Sequence, residues 1–232
     1  FEQQHSVSDY AFYRAVLVPK LWWLSLTRHN QVFLDKNVPD ILEAVMKDCA
    51  HMPISHELKL QQDYPELEYV CQYRETHLGF FTRWLERTGM YYFFEQSNKE
   101  EKVVVTDTDL THKAIEFGET LTYSPTSGLD HAVREEVVKN LVCRRIPVPA
   151  KVLVNDYNYE TPTFDISAEA KVSDNGRGDV QIYGEHFLTK SEGEDLAKVR
   201  AEELLCREQR FHCESTVPFI RPGYQFKLDK HY

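Results

Sequence analysis

Short apolar runs broken by turn residues fill most of the chain, and three stretches with helical spacing interrupt them. In residues 37–49 the apolar positions Val38, Ile41, Leu42, Val45, Met46 and Cys49 recur at the i, i+3, i+4, i+7 spacing of one buried helix face. Asn37 can accept a hydrogen bond from a first-turn amide, Pro39 sits where a missing N–H costs little, and Asp40 suits the positive helix end. The second predicted helix covers residues 76–88, with Thr76 as its cap and Leu78, Phe81, Trp84 and Leu85 as its apolar stripe. Gly89 follows, placed to take a left-handed stop. The third opens on Ser191-Glu192-Gly193-Glu194, which reads as a capping box, and continues to about Gln209. Its inner side carries Leu196, Ala197, Val199, Ala201, Leu204 and Leu205.

Strands are predicted around these helices. Residues 68–73, 90–94 and 102–106 frame the second helix, the last two as a hairpin around the polar stretch 96–101, so that a compact α/β unit spans about residues 32–107. Further strands are predicted over residues 11–18, 121–123, 137–145, 152–157, 163–172, 180–183, 211–217 and 224–228, with turn signals at Asn175-Gly176 and Pro222-Gly223. The 13 Tyr and 13 Phe favour the same reading, since aromatic side chains fit a half-buried pleated surface. The fold class is therefore α+β, mainly β. A barrel or pair of barrels is expected, because closing an antiparallel sheet removes its adhesive edges. The chain carries no internal repeat and no low-complexity tract.

Composition narrows the function. At 232 residues and 42% hydrophobic, the chain can bury one sizeable core or two smaller ones. Its formal charge of -10 opposes the counterion-release binding on which nucleic-acid proteins depend. No apolar run approaches the roughly 18 residues of a membrane span, and the opening residues lack the features of a signal peptide. Starting at Phe1 and ending on strand-like residues, the sequence reads as a piece of something longer. Cys49, Cys71, Cys143, Cys206 and Cys213 are scattered, odd in number and without a C-x-x-C, which predicts free thiols and folding in a reducing cytosol.

Several groups invite a chemical role, and each has a plainer account. Cys49, His51 and His56 could supply three zinc ligands, but no fourth is evident and Cys49 lies on the predicted apolar face. Cys206, His212 and Cys213 form a looser set, better read as two core thiols and a surface imidazole. Glu100, Glu101, Asp107 and Asp109 could be cast as a glycosidase acid pair, although acidic residues at hairpin ends are ordinarily solvated turn formers. G-x-S-x-G, G-x-x-x-x-G-K-[ST] and H-E-x-x-H are all absent. Arg177-Gly178-Asp179 matches an adhesion tripeptide, yet it follows Asn175-Gly176 and reads as a tight turn between two strands. Trp22 and Trp23, flanked by Leu21 and Leu24, read as core or permanent interface, and so as buried. No catalytic, cofactor-binding or metal-binding residue is assigned.

The segment from Ala15 to Thr27, with Leu17-Val18-Pro19-Lys20-Leu21-Trp22-Trp23-Leu24-Ser25, resembles the L-V-P-x-L-W-x-L-S segment of VgrG proteins, the spikes of bacterial type VI secretion machines. Val32 to Leu42 resembles the first hub helix of that family. Glu68-Tyr69-Val70-Cys71-Gln72-Tyr73-Arg74-Glu75-Thr76 and Gly89-Met90-Tyr91-Tyr92-Phe93-Phe94 resemble its E-Y-x-x-Q-Y-R-E-S and E-G-I-Y-Y-F-F pair. Asp156-Tyr157-Asn158-Tyr159, Glu192-Gly193-Glu194-Asp195-Leu196-Ala197 and Arg221-Pro222-Gly223-Tyr224 are similar to three later family segments, in the same order. The resemblance implies a fold like the tail hub protein of T-even phages, with antiparallel barrel-like tube domains and an inserted small α/β unit. Residues 1–31 would close a first tube domain, 32–110 would be the insert, and 111–232 a second tube domain with one helix. It also implies a structural role and no enzymatic activity. The parent would be a homotrimeric adaptor between the Hcp tube or baseplate and the needle, carrying effectors, assembled in the cytoplasm and then injected into a target cell. Neither a cofactor, nor nucleic acid, nor stable membrane insertion is implied. Three departures stand out: the strands that should precede Phe1 are absent, Gly79 replaces the usual acidic residue of the second helix, and the chain ends before the OB-like module and β-helical needle. A phage or prophage tail hub, or a cell-wall hydrolase attached to one, is the alternative.

Overall fold

The computed structural model describes residues 1–48, 53–124 and 136–231. The chain divides into two compact units, one formed by Phe1–Trp84 with Tyr92–Asp107 and the other by Leu85–Tyr91 with Thr108–Tyr232.

The first unit begins with an antiparallel hairpin of β1 (Glu2–Val7) and β2 (Tyr10–Arg14), followed by a 3-10 turn over Lys20–Ser25. Next come β3 (Arg28–Lys36), α1 (Val38–Lys47), β4 (His56–Lys59), β5 (Leu67–Thr76), α2 (His77–Thr88, its last turn counted with the second unit), β6 (Tyr91–Gln96) and β7 (Glu101–Thr106). The predicted start of α1 holds: Asn37 Oδ1 accepts from Asp40 N at 2.8 Å, and Val38, Ile41, Leu42, Val45 and Met46 are buried. α2 takes the predicted cap, with Gly79 N donating to Thr76 Oγ1 at 3.0 Å, and ends at Gly89 with φ 73°. Its apolar stripe is wider than expected. Phe80 joins Phe81 at full burial and stacks on Phe33 of β3, whereas Leu78 is only half-buried. β7 lies between β4 and β6, and Val103, Val104 and Val105 are all buried, as a central strand covered on both faces requires.

β3 and β5 form a separate antiparallel ribbon. Neither β3 nor β4 is marked by the sequence pattern, and residues 15–18 are not in a strand. The register of the ribbon shifts between His29 and Gln31, where Arg74 takes φ 51° and donates its N–H to Asn30 Oδ1 at 2.8 Å.

The second unit contains β8 (Lys113–Ala114), β9 (Thr120–Tyr123), β10 (Val137–Arg145), β11 (Lys151–Asn155), β12 (Ala168–Lys171), β13 (Asp179–Tyr183), α3 (Lys190–Leu205), β14 (Gln209–Ser215), β15 (Tyr224–Gln225) and β16 (Lys227–Asp229). α3 packs over β11 and β12, and Val152, Val154, Ile166, Phe187, Leu196 and Ala197 form the core beneath it. A second cluster joins Ile115, Leu121, Tyr123, Val138 and Val217. The cap of α3 lies two residues earlier than predicted. Thr189 Oγ1 accepts from Glu192 N at 3.3 Å, and Glu192 Oε2 accepts from Leu188 N at 2.9 Å. The helix stops at Leu205, which is exposed rather than inward-facing, because β14 already begins at Gln209.

The expected antiparallel barrels are not seen: no closed barrel forms among the described residues. The described residues form six small open sheets, with orders β1-β2, β3-β5, β4-β7-β6, β14-β10-β9-β16, β12-β11-β13 and β15-β8. Several pairings are parallel, including β4 with β7, β9 with both β10 and β16, and β11 with β13. The turn at Asn175-Gly176 does not join a hairpin, since β11 lies between β12 and β13. Instead that loop packs on residues 148–150, with Arg177 N donating to Val148 O at 3.0 Å and Ala150 N donating to Gly178 O at 2.8 Å. A Cβ on Gly176 would lie 2.2 Å from Pro149 O, so close backbone approach is what requires glycine there.

Candidate functional site

The ribbon β3–β5 is apolar on both faces. Side chains alternate across a strand, so Phe33 and Val70 point to the covered side, where Phe33 stacks on Phe80 with ring centres 5.8 Å apart. The opposite side presents Val32, Leu34, Tyr69 and Tyr73, which are 49%, 59%, 59% and 63% exposed. Leu34 stands across from Tyr69 in the register. Four large apolar side chains on an open two-stranded face form the kind of patch that marks a protein contact. An open sheet edge lies in the other unit, where β10 and β14 present Val142 and Phe211, and every residue of β14 is exposed. The hairpin β1–β2 adds Phe1 stacked on Tyr13 at 5.2 Å, and His5 on Phe12 at 4.7 Å, all of them exposed.

Trp22 and Trp23 are not core residues, which leaves the interface alternative. Leu21 and Leu24 are buried and anchor the 3-10 turn, while the tryptophans meet edge-on at 6.0 Å and remain 43% and 42% exposed. A 3-10 turn places residues three apart on one side, so the two leucines share the buried face and the tryptophans between them cannot.

Two of the acidic residues near the hairpin, Asp107 and Glu101, hold backbone amides. Asp107 accepts from Gln61 N, Gln62 N and the Tyr64 hydroxyl at 2.9–3.1 Å. Glu101 accepts from Lys20 N at 2.9 Å and Gln96 Nε2 at 3.1 Å. Glu100 sits in the exposed β6–β7 turn, and Asp109 opens a short 3-10 helix. Lys59 and Lys102 each reach both Glu57 and Glu95. Of the looser thiol group, Cys206 donates to Glu203 O at the end of α3, while His212 and Cys213 are consecutive on β14 and point to opposite faces. Cys71, Cys143, Cys206 and Cys213 are free thiols. Arg177-Gly178-Asp179 is exposed and leads into β13.

Of the proposed zinc set, Cys49 and His51 lie outside the described residues, and His56 sets its Nδ1 2.8 Å from Ile54 O. Another grouping has ligand geometry. His29, Asp48 and His77 place one donor atom each within 4.8 Å of one another. Sequence reasoning passed over these three, since gaps of 19 and 29 residues carry no recognisable ligand spacing. Burial and the neighbouring His29 hold the His77 imidazole below the ordinary histidine range, against the pull of the Asp48 carboxylate.

The chain is thus α+β, built of small open sheets that leave large apolar side chains exposed on several strand faces. The chain is a member of the phage tail baseplate hub (GPD) family, which matches residues 1–232. It is 28% identical to the type VI secretion system spike protein VgrG1c of Pseudomonas aeruginosa, across 99% of this chain and 31% of that protein. Thus it spans about a third of the length of such relatives. Among solved structures it is similar to an E. coli type VI secretion component described as resembling the T4 bacteriophage tail proteins gp27 and gp5. That match has a TM-score of 0.61 and 19% identity, covering 92% of this chain and 44% of that one. It is also similar to a tail protein of Neisseria meningitidis MC58, with a TM-score of 0.57 and 12% identity over 90% of this chain and 62% of that one. The fold is that of phage tail hub proteins.

Proposed function

We propose that this chain is the hub region of a type VI secretion spike, a structural part of a homotrimer seated between the Hcp tube or baseplate and the needle that delivers effectors. The observation that carries the reading is the hub-family match along the whole chain, in company with relatives named as spike proteins. The open β3–β5 face supports it, because a spike that transmits thrust needs permanent apolar contacts. The division into a closing tube segment (1–31), an inserted unit (32–110) and a second tube domain (111–232), with barrel walls completed by the rest of the parent, belongs to the same proposal. So do cytoplasmic assembly, injection into a target cell and the absence of enzymatic activity. Of the four candidate acids, Asp107 and Glu101 are committed to backbone amides, which leaves those two ill suited to protonate a sugar oxygen. Likeness to phage tail proteins keeps a prophage tail hub as the second reading.

The test is to purify the full-length parent, weigh it in solution, and assay pull-down of its cognate Hcp together with Hcp secretion in a deletion strain. A trimer that retains Hcp and is required for its secretion is expected. A monomeric parent whose deletion leaves Hcp secretion intact would sink the spike reading.

A further inference from the structure

His77 opens α2 with its side chain fully buried, and its Nε2 has no hydrogen-bond partner in good geometry. A buried ring nitrogen left without a well-aligned partner costs free energy. It is aimed toward Asp48, whose Oδ2 lies 3.4 Å away at the end of α1, and Asp48 Oδ2 also lies 3.6 Å from Nδ1 of His29 on β3. The two imidazoles pack edge-on with centres 4.7 Å apart. From these contacts we infer that His29, Asp48 and His77 form a binding site for a divalent transition-metal ion, with zinc the natural occupant of two imidazoles and a carboxylate.

Ligand spacing supports the assignment. Bonds of about 2.0–2.2 Å in a tetrahedral site place neighbouring donor atoms about 3.3–3.6 Å apart. The two separations that involve Asp48 already match. The His29 to His77 separation is the wider one, within 4.8 Å, and a small adjustment of the His29 side chain, which is 46% exposed, would close it. The outer shell is also built. Gln72 is fully buried, its side-chain amide lies 3.2 Å from Nδ1 of His77, its Oε1 accepts from Gln31 Nε2 at 2.8 Å, and its Nε2 donates to Glu75 O at 3.1 Å. With Nδ1–H donated to Gln72 Oε1, Nε2 turns its lone pair toward the metal position, as the second partner of a metal-bound histidine ordinarily arranges. Bound metal would tie β3, the end of α1 and the start of α2 together, and so stabilise the unit that carries the open β3–β5 face.

The experiment is titration of the chelator-treated 232-residue chain with zinc sulfate by calorimetry, with melting followed in zinc and again after EDTA. Binding of about one zinc per chain and a melting point raised by several degrees are expected, reversed by EDTA. His29→Ala and Asp48→Asn alter exposed side chains, so both should keep the native circular dichroism while weakening zinc at least tenfold, about the lower bound for an outer-shell partner. The inference is overturned by a chain that takes up no zinc. It is equally overturned by zinc binding that survives both substitutions, or that is lost in His56→Ala instead.

Discussion

Tyr64 shows how one side chain can make stability depend on pH. Its hydroxyl donates to Asp107 Oδ2 at 3.1 Å, and burial together with that carboxylate pushes its pKa well above the ordinary tyrosine value. A proton held more tightly in the folded state contributes stability that is complete below the unfolded pKa of about 10 and is lost as pH rises beyond it. Urea melts of the wild type should therefore weaken between about pH 9 and pH 11, and those of Tyr64→Phe should weaken less. Parallel losses in the two proteins would remove Tyr64 from the account. Gly193 gives a second test at this scale. Alanine in a helix interior ordinarily gains about 1 kcal/mol over glycine. Here a Cβ would come 2.6 Å from Cε2 of Phe187, which is itself buried. Gly193→Ala should thus lower the melting temperature despite its better propensity, and a rise would mean that Phe187 yields easily.

At the scale of elements, α2 is held by aromatic packing. Phe80 and Phe81 are fully buried, Phe80 stacks on Phe33, and Phe81 meets Tyr92 edge-on at 5.9 Å. Truncating such a ring costs about 3–5 kcal/mol, a large part of the stability of an ordinary domain. Phe81→Ala should yield unfolded or insoluble protein, judged by expression and the melting curve, and an unchanged curve would refute this packing. In the second unit Glu185 holds two arginines, Arg87 Nη1 at 3.1 Å and Arg200 Nε at 3.1 Å, with its side chain only 16% exposed. Charge pairs this shielded are screened less than surface ones. Glu185→Gln should therefore destabilise the chain by about 1–3 kcal/mol in chemical melts, and by nearly as much at 0.5 M salt as at about 0.05 M. A loss that vanishes at high salt would place the group in open solvent.

For the whole molecule, what matters is which surfaces stay unpaired. A permanent interface of about 2,000 Å² or more with an apolar centre is the usual solution for an obligate assembly. Val32, Leu34, Tyr69 and Tyr73 are ready-made for such a centre. In the full-length parent, the double substitution Leu34→Asp with Tyr69→Lys should abolish self-association in light-scattering measurements, while the far-ultraviolet circular dichroism stays native because both side chains face outward. An intact oligomer would assign the open face to another partner.

Local chemistry was readable from the sequence. Asn37 before Pro39, Thr76 before α2 and Gly89 after it marked helix ends, because capping depends on residues a few positions apart, and alternating apolar runs located β9, β10 and β13 closely. The family segments were likewise visible as short strings in order, and the match over residues 1–232 agrees with them. What could not be read was everything set by partners distant in sequence. β3 looks too polar for a strand until β5 pairs with it, and β11 separates β12 from β13 although a turn signal suggested a hairpin. The exposure of Trp22 and Trp23 follows from which face of a 3-10 turn meets the core. His29, Asp48 and His77 converge only because β3, α1 and α2 pack together. Capping and periodicity are properties of neighbouring residues, so they are written in the order of the chain. Pairing, burial and ligand geometry are properties of the packed chain, and only the tertiary structure decides them.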